Sequence, residues 1–207
     1  HDDAVLTDFE DVSPEAVAAW RQSGLARDAG PVPQRPQERE AWMRFKSQTL
    51  TRFTLQLRQA VQAIRGPQVK TARNLFALPI LEPQSEAWFA QNLDDFLAAY
   101  DWTVPMAMPL MESVPIDASQ AWLTRLVQAV ARHPGALKKT IFELQAKDWN
   151  RRQHNAIPDQ QLADWMRLLR LNGVKNYGYY PDDFINNQPD ISRIRPQFSS
   201  WWYPDHD

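Results

Sequence analysis

A chain of 207 residues is long enough for one domain with its own core, or for half of a large α/β barrel. Hydrophobic residues make up 43% and charged ones 23%, as in soluble globular proteins, and a formal net charge of -2 excludes the concentrated basic face that nucleic acid requires. No apolar run approaches the roughly 20 residues that cross a bilayer, and the absence of cysteine excludes disulfides and thiolate chemistry.

The chain opens with five carboxylates in eleven residues: Asp2, Asp3, Asp8, Glu10 and Asp11. A carboxylate cluster needs a scaffold on both sides, so the segment reads as the C-terminal end of a strand whose upstream half lies outside this sequence. Ser13-Pro14-Glu15 is an N-cap followed by proline at the first helical position, and predicts a short helix through Trp20. Residues 24–37 form a connector in which Gly24, Gly30, Pro31, Pro33 and Pro36 oppose regular structure. A long amphipathic helix is predicted from about Glu38 to Arg65. Trp42, Phe45, Thr49, Phe53, Leu57, Val61 and Ile64 recur every three or four residues on the face expected to be buried. Gly66-Pro67 ends it.

From there strand and helix patterns alternate. Val69 to Ala77 reads as a strand, and Ser85 as the cap of one helix through Tyr100. Trp102 to Met108 reads as a strand despite Pro105, which cannot donate to a ladder, and Ala118 to Arg132 as a helix. Lys139 to Gln145 is the next strand, Pro158-Asp159 opens a helix ending at Asn172-Gly173, and Val174 to Tyr179 is the last strand. Residues 181–207 are rich in Pro, Asn and Asp and read as irregular. Strands alternating with helices imply parallel pairing through right-handed crossovers. No Gly-rich phosphate turn follows a strand, which argues against a dinucleotide-binding sheet. The fold class is therefore α/β, a (β/α)₈ barrel of which residues 1–207 are the C-terminal half.

In such barrels the catalytic groups come from the C-terminal ends of strands and the loops after them. That rule selects Asp2 and Asp3; Arg73 and Asn74; Glu112; Glu143, Gln145, Asp148 and Trp149; and Tyr177, Tyr179, Tyr180, Asp182 and Asp183. Side chains alternate along a strand, so Glu143 and Gln145 share one face while Phe142 and Leu144 share the apolar, helix-facing one. Glu143 then either lines the lumen as a functional group or pairs with a lumenal base such as Lys70, Arg73 or Lys175. His1, His133, His154 and His206 are scattered and fit no metal-ligand spacing, so neither metal nor cofactor is expected. There is no G-x-S-x-G elbow for a serine nucleophile. Carboxylates on several strand ends, beside nine tryptophans that can stack on sugar C–H faces, suggest glycoside hydrolysis. One carboxyl would protonate the leaving oxygen, and a second, or the substrate's own amide, would act at the anomeric carbon.

Several words in fixed order carry a resemblance across nearly the whole chain. They are His1-Asp2-Asp3-Ala4-Val5-Leu6-Thr7-Asp8-Phe9-Glu10-Asp11; Arg73-Asn74-Leu75-Phe76-Ala77; Glu82-Pro83-Gln84-Ser85-Glu86-Ala87-Trp88-Phe89-Ala90-Gln91-Asn92; Tyr100-Asp101-Trp102-Thr103 with Met106-Ala107-Met108-Pro109; and Phe142-Glu143-Leu144-Gln145. Together they resemble the poly-β-1,6-N-acetyl-D-glucosamine N-deacetylases of biofilm exopolysaccharide export. The resemblance implies the glycoside-hydrolase-like C-terminal barrel of a two-domain periplasmic, outer-membrane lipoprotein, and none of the N-terminal deacetylase motif. It implies binding and endolytic hydrolysis of the partly de-N-acetylated polymer, or else a non-catalytic domain that guides the polymer to an export porin. On that reading Asp2 or Asp3 is the general acid, and Glu112 or Glu143 is the second carboxylate or a substrate anchor. His1, Arg73, Asn74, Gln145, Trp149, Tyr177, Tyr179 and Tyr180 are the remaining substrate contacts. Asp8, Glu10 and Asp11 either join the groove or cap the helix at Ser13. The implied partners are the polymer, the upstream half of the barrel, the deacetylase domain and the porin.

Overall fold

The structure, a computed structural model, describes residues 5–26, 33, 35–150 and 155–198. The chain divides into two compact units, residues 1–103 and 104–207.

In the first unit, α1 (Pro14–Gln22) starts where its sequence requires. The Ser13 hydroxyl accepts from Ala16 N at 3.2 Å, and the Asp11 carboxylate accepts from Ser13 N at 2.8 Å. Glu10 likewise accepts from Thr7 N at 2.9 Å. These two acids brace the turn before α1, the structural alternative allowed for them. Helix α2 (Pro36–Arg65) ends at Gly66, whose φ of 91° suits a residue without a Cβ. Its first half packs: Trp42 and Phe45 meet Trp20 edge-on at 5.2 and 5.3 Å, and Arg44 reaches Glu86 and Asp95, both at 2.8 Å. The second half corrects the sequence reading. Phe53, Leu57, Val61 and Ile64 are 46–83% exposed, whereas Glu38, Lys46, Ser47 and Thr51 are buried.

Strand β1 (Ala72–Leu75) is shorter than expected because the chain already turns helical at Leu78. The single helix expected from Ser85 to Tyr100 is instead two short helices, α4 (Glu86–Phe89) and α5 (Leu93–Ala99), preceded by the short helix α3 (Leu78–Leu81) and a 3₁₀ turn at Pro83–Ser85. The break has a local cause. Ala90 adopts left-handed φ, and Asn92 rather than Ser85 is the effective cap, accepting from Asp95 N at 3.1 Å. Between them Gln91 is wholly buried and accepts from Phe76 N at 2.9 Å.

Strand β2 (Trp102–Ala107) carries the chain into the second unit, where it is followed by β3 (Phe142–Gln145) and β4 (Tyr177–Tyr180) in parallel, sequential order. Pro105 is tolerated because the β2–β3 register begins just past it, pairing Met106 with Glu143 and Ala107 with Leu144. The crossover helices α6 (Ile116–Ala131) and α7 (Asp159–Leu171) pack on each other, and Trp122, Leu123, Leu126, Leu162, Trp165 and Met166 on them are buried. The Trp165 indole finds its polar partner in Ser119 Oγ at 2.9 Å. The segment expected to be irregular from 181 contains α8 (Ile191–Ile194), capped by the Asp190 carboxylate, and a 3₁₀ turn at Arg195–Gln197.

Candidate active site

The ends of β2, β3 and β4 and the loops after them form the richest polar and aromatic cluster of the second unit. Register decides which side chains share a face. Glu143 lies beside Gly178 and Gln145 beside Tyr180, while Phe142 lies beside Tyr177 and Leu144 beside Tyr179. Phe142 and Leu144 are fully buried, so that side is apolar. Phe198 packs there against Tyr177 and Tyr179, with ring centroids 5.7 and 5.9 Å apart. Tyr177 donates its hydroxyl to Gln197 O. Tyr179 donates to Asp182 at 3.0 Å, and burial together with that bond pushes its phenol up to about 12. Of the three tyrosines only Tyr180 stands on the Glu143 face.

That face is open. Glu143 is half-buried, and a Cβ on the neighbouring Gly178 would meet nothing within 4 Å. Beside it Trp149 and Tyr180 stack at 6.1 Å with 21° between their planes, and Tyr180 is 56% exposed. Such a pair presents flat π surface to a sugar's C–H face.

Gln145 has a different place from the substrate contact expected of it. It is 0% exposed. Its carbonyl oxygen accepts from Leu110 N at 2.7 Å and Met111 N at 3.3 Å, and its amide donates to Lys147 O at 2.8 Å. Asn150 donates to Leu110 O. The Leu110 N–H is thus held by the end of β3 and its carbonyl by the loop that carries Trp149, and the half-buried Glu112 lies two residues further on. Gln145 is a clamp that positions Glu112 and Trp149 together. Asn150 and Asp182 are the supports missed from sequence; a lone amide or acid in a loop has no periodicity to announce it.

The other site residues fall elsewhere. His1, Asp2 and Asp3 lie outside the described residues. In the first unit Arg73 is 3% exposed and turns toward the helices. It donates to Thr54 Oγ1 at 3.2 Å and to the Tyr100 hydroxyl at 3.1 Å, with its guanidinium 5.0 Å from the Phe96 ring. Asn74, half-buried, points to the opposite face of β1. Lys70, one of the bases considered for Glu143, pairs with Asp101 at 3.1 Å. Among the described residues no group of three His, Asp or Glu side chains is arranged to hold a metal ion.

Parallel β/α units that carry acids and stacked aromatics beyond their strand ends define a glycoside-hydrolase type of barrel, and this chain belongs to such a family. The family model described as "Hypothetical glycosyl hydrolase family 13" matches residues 1–180. Two curated relatives, the poly-beta-1,6-N-acetyl-D-glucosamine N-deacetylases of Escherichia coli K12 and Escherichia coli O157:H7, are each 54% identical over 208 residues. The match covers 100% of this chain and 31% of either relative. Among solved structures, the PgaB (BpsB) glycoside hydrolase domain from Bordetella bronchiseptica is 44% identical with a TM-score of 0.89, over 96% of this chain and 55% of that one. The family read from the sequence words is borne out. So is the fold class, a TIM-type α/β barrel, to which this chain contributes a sheet of order β1-β2-β3-β4 with β2, β3 and β4 parallel.

Proposed function

We propose that this chain is the C-terminal half of a glycoside hydrolase barrel that binds partially de-N-acetylated poly-β-1,6-N-acetyl-D-glucosamine and cleaves it endolytically. The observation that carries the reading is the open Glu143 face, with the Trp149–Tyr180 stack beside it and the Glu112 loop clamped to the same element. A sugar lying on the indole is held by its apolar face, and its ammonium group is attracted by the surrounding carboxylates. Asp2 or Asp3 protonates the leaving oxygen. Glu112 or Glu143 assists at the anomeric carbon or anchors an ammonium. The name of the curated relatives supports the choice of polymer. It also supports placing the domain beside a deacetylase domain; a periplasmic setting and delivery of the polymer to an outer-membrane porin are part of the proposal itself.

The test is to incubate the intact protein with the partly de-N-acetylated polymer and to read products by mass spectrometry. Short oligosaccharides are expected, and either Asp2→Asn or Asp3→Asn should reduce their formation by roughly 10²–10⁴-fold, as loss of a general acid does. Polymer that remains intact yet stays bound to the protein would make this a binding domain and sink the hydrolase reading.

A further inference from the structure

At the opposite ends of β3 and β4 from the candidate active site lies a second concavity, built wholly within the second unit. Two turns border it, one leading from α6 into β3 and the other from α7 into β4. It encloses about 520 Å³, within the roughly 300–1,000 Å³ of ligand pockets. Backbone bonds hold both turns. His133 N donates to Val130 O at 3.1 Å and Ala136 N to His133 O at 3.0 Å, ahead of a 3₁₀ turn at Ala136–Lys139. After α7, Gly173 N donates to Arg170 O at 2.9 Å and Val174 N to Leu169 O at 3.1 Å. Gly135 and Gly173 have φ of 77° and 83°, and a Cβ on either would meet nothing within 4 Å, so both turns face open space.

The ionisable side chains on the lining are all bases: His133, Lys138 and Lys175. Asn176 adds an amide, while the buried Ala136 and half-buried Leu137 supply an apolar wall. The stretches that run into these turns, 118–142 and 165–181, contain no Asp or Glu, in a chain with 25 acids to 23 Lys and Arg. Helix ends weigh on the other side. The C-termini of α6 and α7 precede the two turns, and each carries roughly half a negative charge. Arg132 and Arg170, at those helix ends themselves, already outweigh that, and the turn after α7 takes up carbonyls of its last residues. Lys138 and Lys175 stand beyond the helix ends, and both are exposed. The cavity therefore keeps a positive potential. Lysine ammonium groups hold phosphate as point charges, whereas a carboxylate favours the planar fork of arginine. A bare phosphate would leave most of the volume empty, and the apolar wall suits an organic body attached to it.

We propose that this cavity binds the phosphate group of an ester that also carries an apolar portion. The site is independent of sugar cleavage at the other ends of the strands. The test titrates the intact protein with phenyl phosphate and with inorganic phosphate by calorimetry. In parallel it measures co-sedimentation with vesicles of phosphatidylglycerol, against phosphatidylcholine, whose headgroup has no net charge. Lys138→Glu and Lys175→Glu, at exposed positions, should each weaken binding roughly tenfold, because reversal exchanges attraction for repulsion. Arg125→Glu makes the same change in net charge on an exposed part of α6 outside the lining. At about 0.15 M salt it should alter binding by no more than about twofold, because screening limits its reach.

Saturable binding of phenyl phosphate with that pattern supports the site and makes its ligand a soluble ester. Binding of phosphatidylglycerol vesicles alone, with the same pattern, supports it and makes the ligand a lipid headgroup. If inorganic phosphate binds as tightly as phenyl phosphate, the apolar part of the proposal is overturned. If no probe binds, or if Arg125→Glu weakens binding as much as the two lysine reversals, the site is overturned and the bases only offset the helix ends.

Discussion

Helix α2 in the first unit and helices α6 and α7 in the second carry the same apolar repeat, yet only the latter bury it along their length. In α6 and α7 the repeat meets a neighbour, and Leu123, Leu126, Leu162, Trp165 and Met166 are all fully buried. In α2 the repeat is satisfied only as far as Phe45, and Phe53, Leu57, Val61 and Ile64 face outward. Periodicity states which face a helix would bury; it does not state that the covering element exists within the same sequence. The two units differ in chemistry as well. Both present exposed aromatic surface, but Trp149 stacks on Tyr180 whereas Trp88 shares a cavity with Asp8, Arg39 and Lys46.

The largest effect that can sharpen this contrast is on stability. Leu126→Ala removes a fully buried side chain and should cost about 2–5 kcal/mol. Leu57→Ala, 51% exposed, should stay within about 0.5 kcal/mol by the same urea titration. A Leu57→Ala cost as large as that of Leu126→Ala in the intact protein would break the comparison, because it would mean that the outer half of α2 is covered.

A smaller effect separates positioning from binding in the second unit. Gln145→Leu leaves the Leu110 and Met111 N–H groups without their acceptor, at a cost of about 1–3 kcal/mol. Because the clamp orders Glu112 rather than touching sugar, kcat should fall while KM moves little. A rise in KM with unchanged kcat would return Gln145 to the substrate contacts.

A further effect is the pH response of the first unit. Lys46 titrates near 8 in the folded protein and near its ordinary value of 10.5 when unfolded. Between those values the unfolded chain holds a proton that the folded one has lost, so stability should rise with pH across that window. Below it both states are protonated and the cost of burying the cation is present in full. Lys46→Met should flatten the rise in urea midpoint between pH 8 and 10. Identical slopes for the two proteins would show that this ammonium is not desolvated.

Much of the architecture was legible in the residues. Ser13, Gly66 and Gly173 mark the helix ends that the structure uses, and the alternation of Phe142, Glu143, Leu144 and Gln145 predicts the two faces of β3. Proximity to a strand end likewise singled out Trp149 and Tyr180, which the structure stacks on each other. It could not distinguish a side chain that meets solvent from one whose hydrogen bonds are all internal. Gln145 and Glu143 share a strand face and differ only in what stands opposite them, and that depends on the path of the Leu110 loop. Arg73 is the same case on β1, because Thr54, Phe96 and Tyr100 come from helices distant in sequence.

The sequence by itself determined the α/β class, the order of its elements, the family and the aromatic-acidic character of the strand ends. These follow from local backbone preference and from words read along one dimension. Only the tertiary structure decided that Tyr177 and Tyr179 turn to Phe198, that Gln145 is buried and bonded to the Leu110 loop, and that Lys46 is buried beside Trp42. The reason is that burial and pairing are properties of what a side chain faces, and the facing residues here lie up to dozens of positions away along the chain.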